Sequence, residues 1–430
     1  MSFDSWQQLE QARTGQYSDF HPPIMAFIWA GIDRAVPGPF GMLLFHGAMF
    51  FGGLALLLGM AMRTAWSCAW SVLFVALMPP VFANLGTIWK DVGIAAALVA
   101  AGATTLRGAR GGSWAWLAAA LPFLFYANAV RHNAAAAVLP LAILWGTVLL
   151  ERCGVRRRLA GAALGVALTG MLVGGAAVVD AALLRVRSHP VQTLLMYDLA
   201  GISVRTGQDL LPPFVARDQG FDLIERYSPK WGAHTLFHWR CSYVAQPTQA
   251  PPRLEAVQAD ADVSRLWIAW FDAVIAQPQA YLAHRWELTT WLFGLHSGPV
   301  AYPFHDDIAA NSLGLRFDPN LATQAMRSIR DSLRDSVLFR GWFFISVLLA
   351  VLAFLRWRWR PGRGVALTMA ASGLLYALPL PLCSVASDFR LLLWTVVAAA
   401  ISLVLCFAEL PGSPKTLDGA PHDANTGGTC

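Results

Sequence analysis

The sequence predicts an all-α polytopic membrane protein of about nine transmembrane helices, with a mainly helical domain outside the bilayer. Three observations carry this. Of 430 residues, 56% are hydrophobic and only 13% charged, whereas about a quarter of a soluble globular chain is charged. The apolar residues fall in blocks, several long enough to cross a hydrocarbon core about 30 Å thick. The arginines cluster in alternate short connections between those blocks, the distribution that a basic cytoplasmic side produces.

Apolar runs bounded by charge place spans at 40–62, 66–85, 91–106, 113–129, 132–150, 159–183, 339–356, 364–382 and 390–409. Ahead of them, residues 24–36 (IMAFIWAGIDRAV) are apolar but too short to cross. Asp33 and Arg34 interrupt them and Pro37 ends them, so they predict an amphipathic helix lying at the membrane surface. The chain divides into an N-terminal membrane region (1–183) with about six spans, a charged and aromatic, mainly helical domain (184–338), and a C-terminal membrane region (339–410) with about three spans. A Pro/Gly/Thr-rich tail (411–430) completes it, and its composition predicts disorder on the cytoplasmic side. The first twenty residues are polar and carry no signal-peptide core, and no internal repeat is visible.

Arg63, the Arg107/Arg110 pair, Arg152 with Arg156–Arg158, and Arg356, Arg358, Arg360 and Arg363 all fall on one side if the spans alternate. The opposite, non-cytoplasmic side then gathers residues 17–38, the Trp89-Lys90-Asp91 corner, the Arg131-His132-Asn133 corner, the 184–338 domain and the Ser387-Asp388-Phe389-Arg390 corner. The net charge of +6 is spent in short loops, with no basic stripe interleaved with aromatics, so nucleic acid is not an expected partner. The six cysteines show no zinc spacing. Cys241 and Cys383 lie on the outer side, where a disulfide between them is allowed.

Charge at a membrane surface is costly and tends to be functional. In Tyr17-Ser18-Asp19-Phe20-His21-Pro22-Pro23, the Asp19 carboxylate next to His21 is either a general base or metal-coordinating group, or a cap for the helix starting near Pro23. Lys90 suits a phosphate, with Asp91 orienting it or meeting a sugar hydroxyl; the plainer alternative is an interfacial Trp-Lys anchor. Arg131 with Asn133 suits an anionic, hydroxyl-rich ligand, or Arg131 snorkels at a span end. Asp388 and Arg390 either bind ligand or simply pair with each other. Within 184–338, Tyr197-Asp198, His284-Arg285, His296 and His305-Asp306-Asp307 read as ordinary polar features of a soluble domain.

An acidic residue with His-Pro-Pro in a first outer loop, a surface helix after it, many spans and a late extramembrane domain resemble GT-C-type integral-membrane glycosyltransferases. The Asp19…His21-Pro22-Pro23 string is similar to the first-loop motif of protein O-mannosyltransferases, and the Trp-Lys-Asp, Arg-x-Asn and Asp-x-Arg corners look like those of bacterial members. The resemblance implies transfer of a sugar from a polyprenyl-phosphate donor to a glycan, lipid or protein acceptor, at the periplasmic face of a bacterial inner membrane. Asp19, with His21, would activate the acceptor hydroxyl. Lys90, Asp91, Arg131, Asn133, Asp388 and Arg390 would hold the donor, with the cations on its phosphate. A divalent Mg or Mn cofactor is left open by the missing second acidic motif. Family members also carry a membrane helix ahead of the first-loop motif. Here eighteen largely polar residues precede Asp19, so either this branch lacks the helix or the chain starts further upstream. An O-antigen ligase or polymerase, a flippase for a lipid-linked sugar and a noncatalytic scaffold are the competing expectations. The uniformly apolar spans disfavour the flippase.

Overall fold

A computed structural model describes residues 2–155, 157–237, 252–303, 305, 308, 311–316, 319–358 and 363–408, apart from the side chains of His132, Ala322 and Met326. The helices in chain order are α1 (Phe3–Thr14), α2 (Ile24–Ala35), α3 (Pro39–Ala61), α4 (Ala65–Ala76), α5 (Pro79–Leu85), α6 (Lys90–Ala109), α7 (Trp114–Ala129), α8 (Ala135–Arg152) and α9 (Arg158–Leu183). They continue with α10 (Val191–Thr206), α11 (Leu223–Arg226), α12 (Asp260–Ala276), α13 (Pro278–Phe293), α14 (Leu321–Leu333), α15 (Gly341–Trp357), α16 (Gly364–Ala377), α17 (Leu380–Cys383) and α18 (Leu393–Phe407). Among the described residues the only β-type pairings are isolated bridges. The molecule is an all-helical, multi-pass membrane protein.

The expected count of nine spans is not confirmed. Six segments are long and apolar enough to cross: α3, α6, α8, α9, Gly364–Cys383 and Phe389–Phe407. The expected single span 66–85 is instead broken into α4 and α5, bent by 77°. Pro79 and Pro80 explain the break: neither has an N–H for the preceding helix, and Met78 before them is driven to an extended ψ of 125°. Counting this pair as one span makes seven. α7 and α15, at 16 and 17 residues, are shorter apolar helices near the lower end of the roughly 17–25 residues that spanning helices use. A helix at the expected place, 24–36, is present as α2, with Ile24, Met25, Ala26 and Trp29 buried.

The bundle is built around α6 and α18, which are buried on nearly every side. A helix apolar all round belongs in that position. The small residues of α6 (Gly93, Ala95–Ala97, Ala100–Ala103) let neighbours approach closely: Gly53 of α3 sits against the Ala100 backbone, where a Cβ would come to 2.9 Å. α8 and α9 interlock the same way at Gly146, Gly161 and Gly165. α9 turns Val166, Met171 and Val178 outward, as a lipid-facing helix does. At one end of the bundle Arg110 donates to the Met60 carbonyl and Arg152 to that of Gly108, so the connections bearing Arg63, Arg107 and Arg110, and Arg152 share an end.

The opposite end carries the 184–338 segment, in whose described residues no candidate span falls. α10, α12 and α13 enclose a separate core including Leu195, Tyr197, Leu236, Leu266 and Leu288. Leu292 at the end of α13 joins Ala377, Leu380, Leu391 and Leu392, tying the domain to the ends of α16 and α18. Cys241, Asp306, Asp307 and the tail 411–430 lie outside the described residues, and with them the expected Cys241–Cys383 pairing and the expected disorder of the tail.

Candidate functional site

The site forms where α1, the 19–23 loop, the start of α6, the α7–α8 connection and the segment before α18 meet. α1 is polar yet largely buried. A capping box of Ser2 and Ser5 starts it. Ser5 Oγ then donates to the Ile88 carbonyl (2.9 Å) and Trp89 Nε1 to Ser2 Oγ (2.6 Å). These bonds lay the first turn of α1 across Trp89-Lys90 and bring Asp4 to the charged cluster.

Asp4 Oδ2 accepts from Arg390 Nη1 at 2.7 Å, and Asp4 Oδ1 lies 3.7 Å from His21 Nε2. Lys90 Nζ is 2.6 Å from His21 Nδ1. An ammonium can only donate, so Nδ1 accepts and the proton of a neutral imidazole sits on Nε2, which has no hydrogen-bond partner. Arg390 spans two carboxylates: its Nε donates to Asp388 Oδ2 at 3.1 Å, and its guanidinium lies 4.6 Å above the Trp89 ring. Arg131 pairs with Asp91, which Tyr376 also approaches at 3.5 Å. Lys90 feels the charges of Arg131, Arg390, Asp4 and Asp91 together.

Three cations thus face three carboxylates in a pocket of low exposure, with Asp388 buried to 98%. Burial pushes the Asp4 carboxyl up, but Arg390, His21 and Lys90 outweigh it and hold it well below the usual carboxylate range. Asp388 is also lowered: burial opposes, while the His234 hydrogen bond and Arg390 prevail. His21 is pushed down to about 3, by burial first and then by the Lys90 charge, and is therefore neutral near pH 7. With three carboxylates against three cations the cluster is close to neutral, so an anionic group enters only by displacing carboxylates from Arg131 or Arg390.

The structure brings together six of the eight residues picked from the sequence: His21, Lys90, Asp91, Arg131, Asp388 and Arg390. Asp19 stands apart. Its carboxylate accepts from the backbone N–H groups of Ser188 and, at 3.3 Å, His189, while its own N–H donates to Val186. It does not cap α2, whose cap residue Pro23 makes no side-chain bond. Asn133 lies two residues beyond Arg131 with its Oδ1 buried and unpartnered.

Asp4 was missed. The signal was its place in the first turn behind a Ser-x-x-Ser cap, but nothing local distinguishes it from an acidic residue favouring a helix dipole. Also missed was the network inside the 184–338 domain. Asp198, His284 and Arg285 are buried, not surface groups. Asp198 accepts from Trp270 Nε1 (2.8 Å) and meets His284 (3.0 Å) and Arg285 (2.5 Å), while Tyr227 closes on the other His284 nitrogen at 2.7 Å.

The cluster carboxylates are each engaged by arginine, and among the described residues no three His, Cys, Asp or Glu side chains gather as a metal site. On the flank of the bundle, α4, α5, α15 and α18 enclose an apolar groove of about 560 Å³, walled by Phe74, Met78, Phe344, Val347, Ala400 and Leu403. No family model, curated protein or solved structure matches this chain.

Proposed function

We propose that this protein is a membrane glycosyltransferase that moves a sugar from a polyprenyl-phosphate donor to an acceptor at the non-cytoplasmic face of a bacterial inner membrane. The observation that carries the reading is the convergence of Lys90, Arg131 and Arg390 at one end of a bundle whose flank holds an apolar groove of about 560 Å³. Arg390 and the groove residues Ala400 and Leu403 lie on one continuous span. At 1.5 Å per residue they are separated by roughly 15 to 20 Å along it. A lipid phosphate needs that combination: cations for its head and an apolar channel for its tail.

In this scheme the acceptor oxygen attacks the anomeric carbon as the bond from that carbon to the phosphate oxygen breaks. The leaving phosphate takes up the bonding electrons, and the three cations stabilise it. The acceptor proton passes to a carboxylate. We assign that role to Asp4, in the place the first-loop resemblance gives Asp19. When phosphate draws Arg390 away, Asp4 loses its strongest partner and gains basicity at the moment it is needed.

The test is transfer by the full chain reconstituted in vesicles with a radiolabelled polyprenyl-phosphate sugar and membrane extract as acceptor source. Arg390→Gln should cut turnover by about a hundredfold or more, the scale for losing one preorganised charge partner. Asp4→Asn should abolish it and Asp19→Asn should spare it. The reverse pattern returns the base role to Asp19. Movement of the donor lipid across the vesicle without any glycosyl transfer would sink the enzyme and favour a flippase.

A further inference from the structure

Beside the charged cluster, on the side of the 184–338 domain, lies a group of aromatic residues the scheme above does not use. Trp231 and Tyr302 meet edge to face, with ring centres 5.3 Å apart, and both stay about 40% exposed. His234 lies 6.2 Å from the Tyr302 ring and 3.8 Å from Asp388 Oδ2. Lys230 sits 5.0 Å from the Trp231 ring and 5.2 Å from that of Trp291. The other Asp388 oxygen, Oδ1, is buried and makes no hydrogen bond.

The backbone is built to hold this arrangement. Gly232, at φ +66°, lies flat on the 385–386 chain, where a Cβ would come within 2.4 Å of the Val385 carbonyl. Ala233 donates to Val385 at 2.8 Å, and Ser387 Oγ donates to the Lys230 carbonyl. On the other side Phe389 donates to Ala301 at 3.0 Å, and the next residue, Tyr302, is forced to φ +41°. A tyrosine held there is strained, and such strain collects at binding sites.

We propose that Trp231, Tyr302, His234 and Asp388 form a subsite for a pyranose ring, so that the acceptor is a carbohydrate. A pyranose offers C–H bonds on one face, which dock on the negative face of an aromatic ring, and hydroxyls around its rim. Asp388 Oδ1 is an unsatisfied buried acceptor, and a hydroxyl donor relieves its cost. The location fits an acceptor, because Asp388 shares Arg390 with Asp4. Only the word acceptor rests on the glycosyl-transfer reading; the sugar site itself does not.

The test is saturation-transfer NMR on the full chain in nanodiscs, with the methyl pyranosides of mannose, glucose, galactose and N-acetylglucosamine as probes. At least one should receive saturation on its ring protons. Trp231→Ala and Tyr302→Ala should each weaken it tenfold or more, while Trp231→Phe, which keeps a ring, stays within threefold. Lys90→Ala should abolish transfer yet retain the pyranoside signal. If wild-type protein binds a pyranoside through these rings but shows no transfer, the enzyme reading fails and the subsite stands. No signal from any of the four, or a signal that survives both alanine variants, overturns the subsite. Saturation of N-acetylthreonine methylamide in place of any pyranoside overturns it in favour of a polypeptide.

Discussion

His21 shows how a residue's neighbours set its chemistry. It is an ordinary imidazole by sequence, yet burial and Lys90 keep it neutral to about pH 3. Its folded value lies below the roughly 6.5 of an exposed histidine. The unfolded chain therefore binds the extra proton first, so stability is full above about pH 6.5 and falls as pH drops toward 3. The slope reaches about 1.4 kcal/mol per pH unit for one group. His21→Gln should flatten that part of the profile, measured as melting temperature against pH for variant and wild type. Equal profiles would mean that the imidazole is not buried as described. A second residue-scale expectation concerns Gly232: Gly232→Ala adds a methyl where the Val385 carbonyl stands and at a positive φ. It should cost about 1–3 kcal/mol, read as increased hydrogen exchange of residues 384–388.

Among the elements, the broken pair α4–α5 has the clearest consequence. Its bend turns Leu77, Met78 and Pro79 into one wall of the apolar groove. Replacing Pro79 and Pro80 together by alanine restores the N–H groups and permits a straighter helix. The groove should narrow, and the apparent affinity for a long-chain donor should fall at least tenfold while a short-chain donor is little affected. Equal losses for both donors would separate the groove from the lipid tail. The elements also show what the sequence makes legible. Each long apolar run proved helical, because periodicity and hydropathy are local properties. The break at Pro79 was written in the sequence but overridden by the apolar run around it. The α1 helix escaped notice because its burial comes from Ile88, Trp89 and Arg390, residues distant in the chain. The six site residues that were picked out came from placing charges on one side of a topology, whereas Asp4 and the Asp198 network required side-chain contacts that no pattern encodes.

For the molecule as a whole, the 184–338 domain serves as a clamp on the end of the bundle that holds the charged cluster. Arg285 Nη1 donates to the Ser384 carbonyl at 2.6 Å while pairing with Asp198. The domain core thus holds the 384–388 segment that carries Asp388 toward Arg390. Arg285→Met leaves Asp198 as a buried charge facing a neutral side chain, a loss of about 3–5 kcal/mol. Limited proteolysis should then cut first within 184–338, with the membrane helices retaining their circular dichroism. Simultaneous loss of both would show that the two cores fold as one unit.

The groove on the flank also bears on how any small molecule bound there would be measured. Its walls are almost wholly apolar, and on the α4 side Trp70, Leu73, Phe74 and Leu77 are exposed at the flank of the bundle. A compound that fills it arrives by dissolving in the bilayer and diffusing in two dimensions. Its potency will then scale with moles of compound per mole of lipid, so a dose series run at one aqueous concentration but two lipid loads should give two different midpoints.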